Sequence, residues 1–194
     1  AGSPGSAGAG SPLRIGVLAL QGGFAAHLRH LGSVGALGVE VRTPRDLKGL
    51  DGLILPGGES TTITMGLDQH GLSGPILELK DGGTPILGTC AGMIVSDRDH
   101  LGLLDITTRR NAFGRQLASF EDDIDLAGLP GPPFRAVFIR APWVEQLGEG
   151  VEVLAEVRGH PVAVREGRVS AFSFHPELTA DDRIHEWFVA ACRR

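Results

Sequence analysis

Residues 85–92, Pro85-Ile-Leu-Gly-Thr-Cys-Ala-Gly92, decide the fold. Residues 85–88 form a short apolar run bounded by turn residues, the pattern of a strand buried on both faces. The run leads into Gly88-Thr89-Cys90-Ala91-Gly92, a sharp glycine turn, and then into an apolar stretch that can open a helix. The same order recurs upstream. Residues 13–20 (LRIGVLAL) are almost continuously apolar and end at Gln21-Gly22-Gly23, after which residues 24–37 set Phe24, Leu28, Leu31 and Val34 at helical spacing. Residues 39–41 read as a second strand. Residues 52–55 (GLIL) read as a third, halted by Pro56-Gly57-Gly58, and residues 60–80 as helix with a break near 71–75. This alternation predicts an α/β fold: a three-layer, open, mostly parallel sheet with helices on both faces.

The second half changes style. Residues 101–110, 136–140, 151–157, 162–164 and 169–174 read as short strands between Gly/Pro turns, with helical signal returning only at 184–192. Such a run predicts antiparallel additions to the parallel core in the C-terminal half. With no repeat and no central linker, residues 13–194 are read as one domain. Residues 1–12 (AGSPGSAGAGSP) are read as a flexible leader or cloning remnant.

Composition narrows the function. The 194 residues are 42% hydrophobic and 21% charged, a globular balance. A net charge of −5 offers no general attraction to nucleic acid or anionic lipid, and 5% aromatics leave little for base stacking. No apolar run nears the roughly 20 residues of a membrane span. Cys90 and Cys192 cannot form a disulfide framework, so a reducing cytoplasm is the expected compartment.

In an open parallel sheet, sites form where loops leave the carboxyl ends of strands. Three motifs stand there: Pro56-Gly57-Gly58-Glu59-Ser60, the Cys90 turn, and Phe174-His175-Pro176-Glu177. G-x-C-x-G after a strand is the nucleophile-elbow pattern with cysteine for serine, and a helix amino terminus beside the sulfur favours the thiolate. A lone cysteine is more often a buried structural residue, but the two glycines and the strand-end position reverse that weighting; Cys192 has no such setting. In extended chain, His175 and Glu177 would point to one side, while Pro176 ends the sheet ladder. One ring nitrogen can then face Cys90 while the carboxylate holds the other and supports the imidazolium. Backbone N–H groups at Pro56-Gly57-Gly58, with that of Ala91, can form an oxyanion hole. The segment lacks the lysine and spacing of a phosphate-binding loop.

Other residues read more blandly. His27 and His30, three apart on a helix, find no third ligand and are taken as surface histidines, so no metal or cofactor is expected. Residues 121–125 (EDDID) are taken as a solvated turn or docking surface. Arg109, Arg110 and Arg140 are candidates to hold a substrate carboxylate, and composition does not choose among them.

Taken together, LALQG (18–22), LPGGESTT (55–62), GTCAG (88–92), RRNAFGRQ (109–116), SFE (119–121), FIRAP (138–142) and SFHPEL (173–178) resemble a known family. It is the glutaminase subunits of pyridoxal 5′-phosphate synthase, within the class I glutamine amidotransferases. The resemblance runs in order from about residue 13 to 192. It implies hydrolysis of L-glutamine to glutamate, with ammonia passed to a (β/α)₈-barrel synthase subunit that builds pyridoxal 5′-phosphate. It also implies Cys90 as nucleophile, His175 as general base and acid, and Glu177 as its orienting group. The implied glutamine pocket is Gly58, Glu59, Ser60, Arg110, Ile139 and Arg140, and the implied oxyanion hole Gly58 and Ala91. Gln21 and Gly22 fall near that hole or the partner face. Two departures stand out. Gly23 replaces the family's acidic residue, and the segment after Cys90 (residues 90–101) is shorter by about two helical turns. The alternatives are an amidotransferase subunit of another pathway and a catalytically silent interaction module on the same fold.

Overall fold

The computed structural model describes residues 10–193, so the leader assigned to residues 1–12 lies outside the described residues up to residue 9. Its first half alternates strand and helix: β1 (Arg14–Leu18), α1 (Phe24–Ser33), β2 (Leu37–Val41), β3 (Gly52–Leu55), α2 (Ser60–Gln69), α3 (Ser73–Asp81), β4 (Ile86–Thr89) and α4 (Ala91–Val95). Then come β5 (Ile106–Arg109), β6 (Ser119–Ile124), β7 (Phe134–Ile139), β8 (Trp143–Leu147), β9 (Glu152–Val157), β10 (His160–Glu166), β11 (Val169–Phe172) and α5 (Arg183–Cys192).

Seven strands form the central sheet in the order β2-β1-β3-β4-β11-β10-β9. The first five run parallel, and β10 enters antiparallel between β11 and β9. The period of two along each strand divides the core. Ile15, Val17, Ile54 and Leu87 face one layer with Leu31 of α1, Phe188 of α5, and Phe134 and Phe138 of β7. Leu18, Leu53, Leu55 and Ile86 face the other, with Ile63 of α2, Ile76 of α3, Met93 of α4, and Val144 of β8. The predicted three-layer α/β architecture with antiparallel C-terminal strands is what the chain adopts.

Several boundaries differ from the sequence reading. The long helix of 24–37 stops at Ser33, and residues 37–41 pair with β1 over the full length of β2. Of residues 101–110 only Ile106–Arg109 is strand, paired with β8. The acidic stretch 121–125 is not a solvated turn. Residues up to Ile124 belong to β6, whose exposed Glu121 and Asp123 straddle Arg135 of β7 at 3.6 and 3.4 Å while Ile124 enters the core. Among the described residues no helix is long and apolar enough to cross a membrane.

Candidate active site

The carboxyl ends of the parallel strands meet at Cys90, between the last residue of β4 and the first of α4. Its backbone has φ 51° and ψ −111°, a conformation costing an L-residue about 1–3 kcal/mol. Surrounding bonds hold it there. The Cys90 N–H donates to Phe172 O at 2.8 Å, and Met93 N–H donates to Cys90 O at 3.0 Å. Glycine is required at 88, where a Cβ would lie 2.5 Å from the Gly92 carbonyl oxygen. The short post-elbow segment is built as a five-residue buried helix. Ser96 Oγ donates to Gly92 O at 2.6 Å, and the Asp97 carboxylate then accepts from Asp99 N and from Thr108 Oγ1, folding the chain toward β5.

Facing the elbow is His175, just beyond β11. Its Nδ1–H donates to Glu177 Oε1 at 2.6 Å. The sequence argument for this pair was extended chain; instead, Pro176–Leu178 is a 3₁₀ turn, and the tight turn folds the carboxylate back under the ring. The His175 backbone N–H is anchored on Val137 O at 2.9 Å. Burial alone would depress the His175 pKa, but hydrogen bonds with Cys90 and Glu177 outweigh it and raise the value to about 10. Burial likewise pushes Glu177 up, yet its bond to His175 and the nearby His27 and His175 rings leave it below the ordinary carboxylate range. At neutral pH the pair is an imidazolium on a carboxylate, with the Cys90 sulfur on the other side of the ring.

Gly57 fits between them: a Cβ there would lie 2.8 Å from His175 Cε1 and 3.2 Å from Cys90 Cβ. Gly58, at φ 150°, turns the loop. The loop is pinned from β1's exit, where Gln21 Oε1 accepts the Glu59 N–H at 2.8 Å. Gly22 packs so close that a Cβ would meet the Gly57 carbonyl oxygen.

A cleft of about 430 Å³ opens here. It brings together Cys90, His175, Gly58, Glu59, Ser60 and Ala91 with Gln21, Gly22, Arg110, Ile139 and Arg140, every residue that the resemblance implies for the site except Glu177, which lies behind the ring. Ile139 O accepts from Cys90 Sγ at 3.8 Å. Arg110 donates to Thr61 Oγ1 at 3.1 Å and lies 3.6 Å from Glu59 Oε1. Of the arginines left open by the sequence, Arg110 and Arg140 line the cleft; Arg109 lies over the Trp143 ring instead. A larger cleft of about 590 Å³ sits at the amino ends of β4 and β11, lined by residues such as Lys80, Arg98 and Val169, away from this chemistry.

Sequence reasoning missed Thr61, Ile94 and Asn111, the last two lining the cleft. It also misread His27 and His30. Both are buried, because α1 turns this face toward Glu177 and α5. His27 Nδ1 lies 2.9 Å from His185 Nε2, and His30 stacks on His185 with centroids 4.4 Å apart. The i, i+3 spacing was visible, but the partner His185 lies far away in sequence.

Fold and constellation together define a class: open α/β-sheet proteins carrying a thiol, an imidazole and a carboxylate at the strand ends. The chain belongs to the SNO glutamine amidotransferase family, whose model matches residues 17–194. It is similar to the pyridoxal 5′-phosphate synthase subunit PdxT of Dehalococcoides mccartyi, 54% identical over 187 residues that cover 91% of this chain and 96% of that one. The subunit of the same name from Frankia alni is 53% identical over 189 residues, 93% of this chain and 95% of its own. A crystal structure of a glutamine amidotransferase, 45% identical, superposes with a TM-score of 0.87 over 93% of this chain and 99% of its own.

Proposed function

We propose that this chain is the glutaminase subunit of a pyridoxal 5′-phosphate synthase, hydrolysing L-glutamine to L-glutamate and supplying the ammonia for vitamin B6 biosynthesis. The observation that carries the chemistry is the 2.6 Å bond from His175 Nδ1 to Glu177 Oε1 behind a ring that faces a strand-end cysteine in a polar cleft. Family membership and the relatives' name support the pathway.

The reaction follows from the charge states. Cys90 attacks the side-chain carboxamide carbon as a thiolate, and the oxyanion is held by the N–H groups of Gly58 and Ala91. His175, already an imidazolium, gives its Nε2 proton to the departing nitrogen, so ammonia leaves and a γ-glutamyl thioester remains on Cys90. The neutral ring then takes a proton from water, hydroxide attacks the thioester carbon, and glutamate and the thiolate are released as His175 recovers its charge. Glu177 keeps the ring's tautomer and supports its positive form throughout. Arg110 and Arg140 pair with the substrate's α-carboxylate, Glu59 and Ser60 border its amino end, and Ile139 closes the wall beside the sulfur.

The ammonia is received by a (β/α)₈-barrel synthase subunit docked over the cleft mouth, near Gln21 and Gly22. Residues 13–194 act as one glutaminase domain, and a free nucleophilic thiol fits a reducing, cytoplasmic setting. The test is a glutaminase assay with and without the synthase subunit. Glutamate formation that Cys90→Ala abolishes in a folded protein supports the reading. Undiminished turnover in that variant, or no turnover with the synthase present, overturns it.

A further inference from the structure

Behind the cleft, on the side away from Cys90, lies a buried set of imidazoles. Glu177 spends Oε1 on His175, while its Oε2 is buried and has no ordinary hydrogen-bond partner; the group beside it is His27 Nε2 at 3.4 Å. A carboxylate oxygen can only accept, so this ring nitrogen satisfies it only when it carries hydrogen. A neutral His27 then has a bare Nδ1, which must accept from His185 Nε2 at 2.9 Å. His185 Nδ1 is left bare, and it is a buried atom with no partner. Each ring's one N–H is thereby assigned with none left over. The reverse assignment lets Thr89 Oγ1 donate to a bare His27 Nε2, but it leaves Glu177 Oε2 facing that bare nitrogen with no donor, and it buries a His185 N–H with no acceptor.

We propose that His27 is a positioning residue: its Nε2–H donates to Glu177 Oε2, the last link of a one-way chain from His185 through His27 to the carboxylate that orients His175. The proposal rests on the reading of Cys90, His175 and Glu177 as the catalytic set. The groups around His27 agree with it. Thr89 Oγ1, from β4, lies 3.3 Å from the same Nε2, and as a hydroxyl it can accept there beside Glu177 Oε2. His30, on α1 itself, directs Nε2 at the Glu177 carbonyl oxygen at 3.2 Å and Nδ1 at Asp182 Oδ1, so it holds the backbone of the same residue. His175 faces the far carboxylate oxygen, and His185 comes from α5. Burial keeps both chain members neutral, lowering His27 to about 4 and His185 to about 2. Among the described residues no group of three or more His, Cys, Asp or Glu is set to hold a metal ion. With one oxygen of Glu177 fixed by His27, the other stays aimed at His175 Nδ1, and Nε2 stays aimed at the sulfur.

Two measurements test this. In the intact chain, ¹⁵N NMR of histidine-labelled protein should find His27 as the Nε2–H tautomer; an Nδ1–H tautomer overturns the proposal, and this needs no variant. In the complex with the synthase subunit, His27→Leu should lower kcat by roughly 10- to 100-fold, the equivalent of one hydrogen bond to a charged group, with little change in KM. The acid limb of its pH profile should move to higher pH, because Glu177 takes up a proton more readily, and His27→Gln, which returns an N–H donor, should recover most of both. A pH limb left in place, whatever the rate, identifies mere packing and overturns the proposal. Failure of the catalytic reading itself would show separately, as turnover surviving Cys90→Ala.

Discussion

Gly92 meets Leu55 backbone to backbone: a Cβ on Gly92 would lie 1.9 Å from the Leu55 carbonyl oxygen. This contact seats α4 on the end of β3 and fixes the direction in which the Cys90 elbow leaves the sheet. No rotamer change can relieve the clash, since both partners are main chain. Gly92→Ala should therefore cost about 3 kcal/mol or more and move Cys90 out of line with His175. Urea unfolding and the glutaminase assay together check this; a variant with native stability and activity would show that the elbow tolerates a shift.

The two thiols should differ sharply in reactivity. Burial, with Asp51 nearby, pushes Cys192 up to about 12, so it stays protonated at neutral pH. Cys90 borders the open cleft beside an imidazolium. A glutamine-mimicking electrophile such as 6-diazo-5-oxo-L-norleucine should modify Cys90 alone, as read by peptide mass spectrometry. Equal labelling of Cys192 would contradict the assignment.

Stability should fall on mild acidification. His27 and His185 have folded pKa values of about 4 and about 2, below the 6.5 of the unfolded chain. Between pH 6.5 and 4 the unfolded state binds protons that the folded state refuses, so their stabilising contribution is complete above 6.5 and lost as pH falls through the folded values. Each neutral ring then costs about 1.4 kcal/mol per pH unit. His175 acts oppositely: raised to about 10, it contributes fully below 6.5 and loses that contribution as pH rises through 10. Denaturant titrations from pH 4 to 10 should peak near neutrality. A flat acid limb would mean these rings are not buried as neutral species.

Gln21 ties the exit of β1 to the Gly57–Gly58 loop, the proposed oxyanion hole, through the Glu59 N–H. Gln21→Leu leaves that loop without its pin, and the Gly58 N–H with a less defined direction. We expect kcat to fall about tenfold, near 1.4 kcal/mol in the barrier, with a smaller effect on global stability. Steady-state kinetics and thermal unfolding of the same preparation separate the two. A change confined to KM would assign Gln21 to substrate binding instead.

Much of this was legible in the chain. Residues 52–55 and 86–88 are apolar without interruption, so their burial on both sheet faces could be read directly. Gly88 and Gly92 flank Cys90 because the elbow leaves no space, which is why the pattern pointed to a turn and not to a core cysteine. What escaped reading depends on partners distant in sequence. β6 carries four acidic or polar residues, and only Arg135 on its hairpin mate makes that strand reasonable. His27 and His30 look like surface residues until α5 brings His185 against them. Even the His175–Glu177 pair, whose side chains do bond, reaches its geometry by a 3₁₀ turn that alternation along a strand could not foresee.

The central claim is that Cys90 carries the acyl group. Its most direct measurement is acid quenching of the chain with its synthase subunit during glutamine turnover, followed by mass spectrometry of the peptides. The expected result is a γ-glutamyl adduct on the Cys90 peptide that forms and decays at the rate of ammonia release. An adduct on another residue, or ammonia release from Cys90→Ala at the wild-type rate, would contradict it.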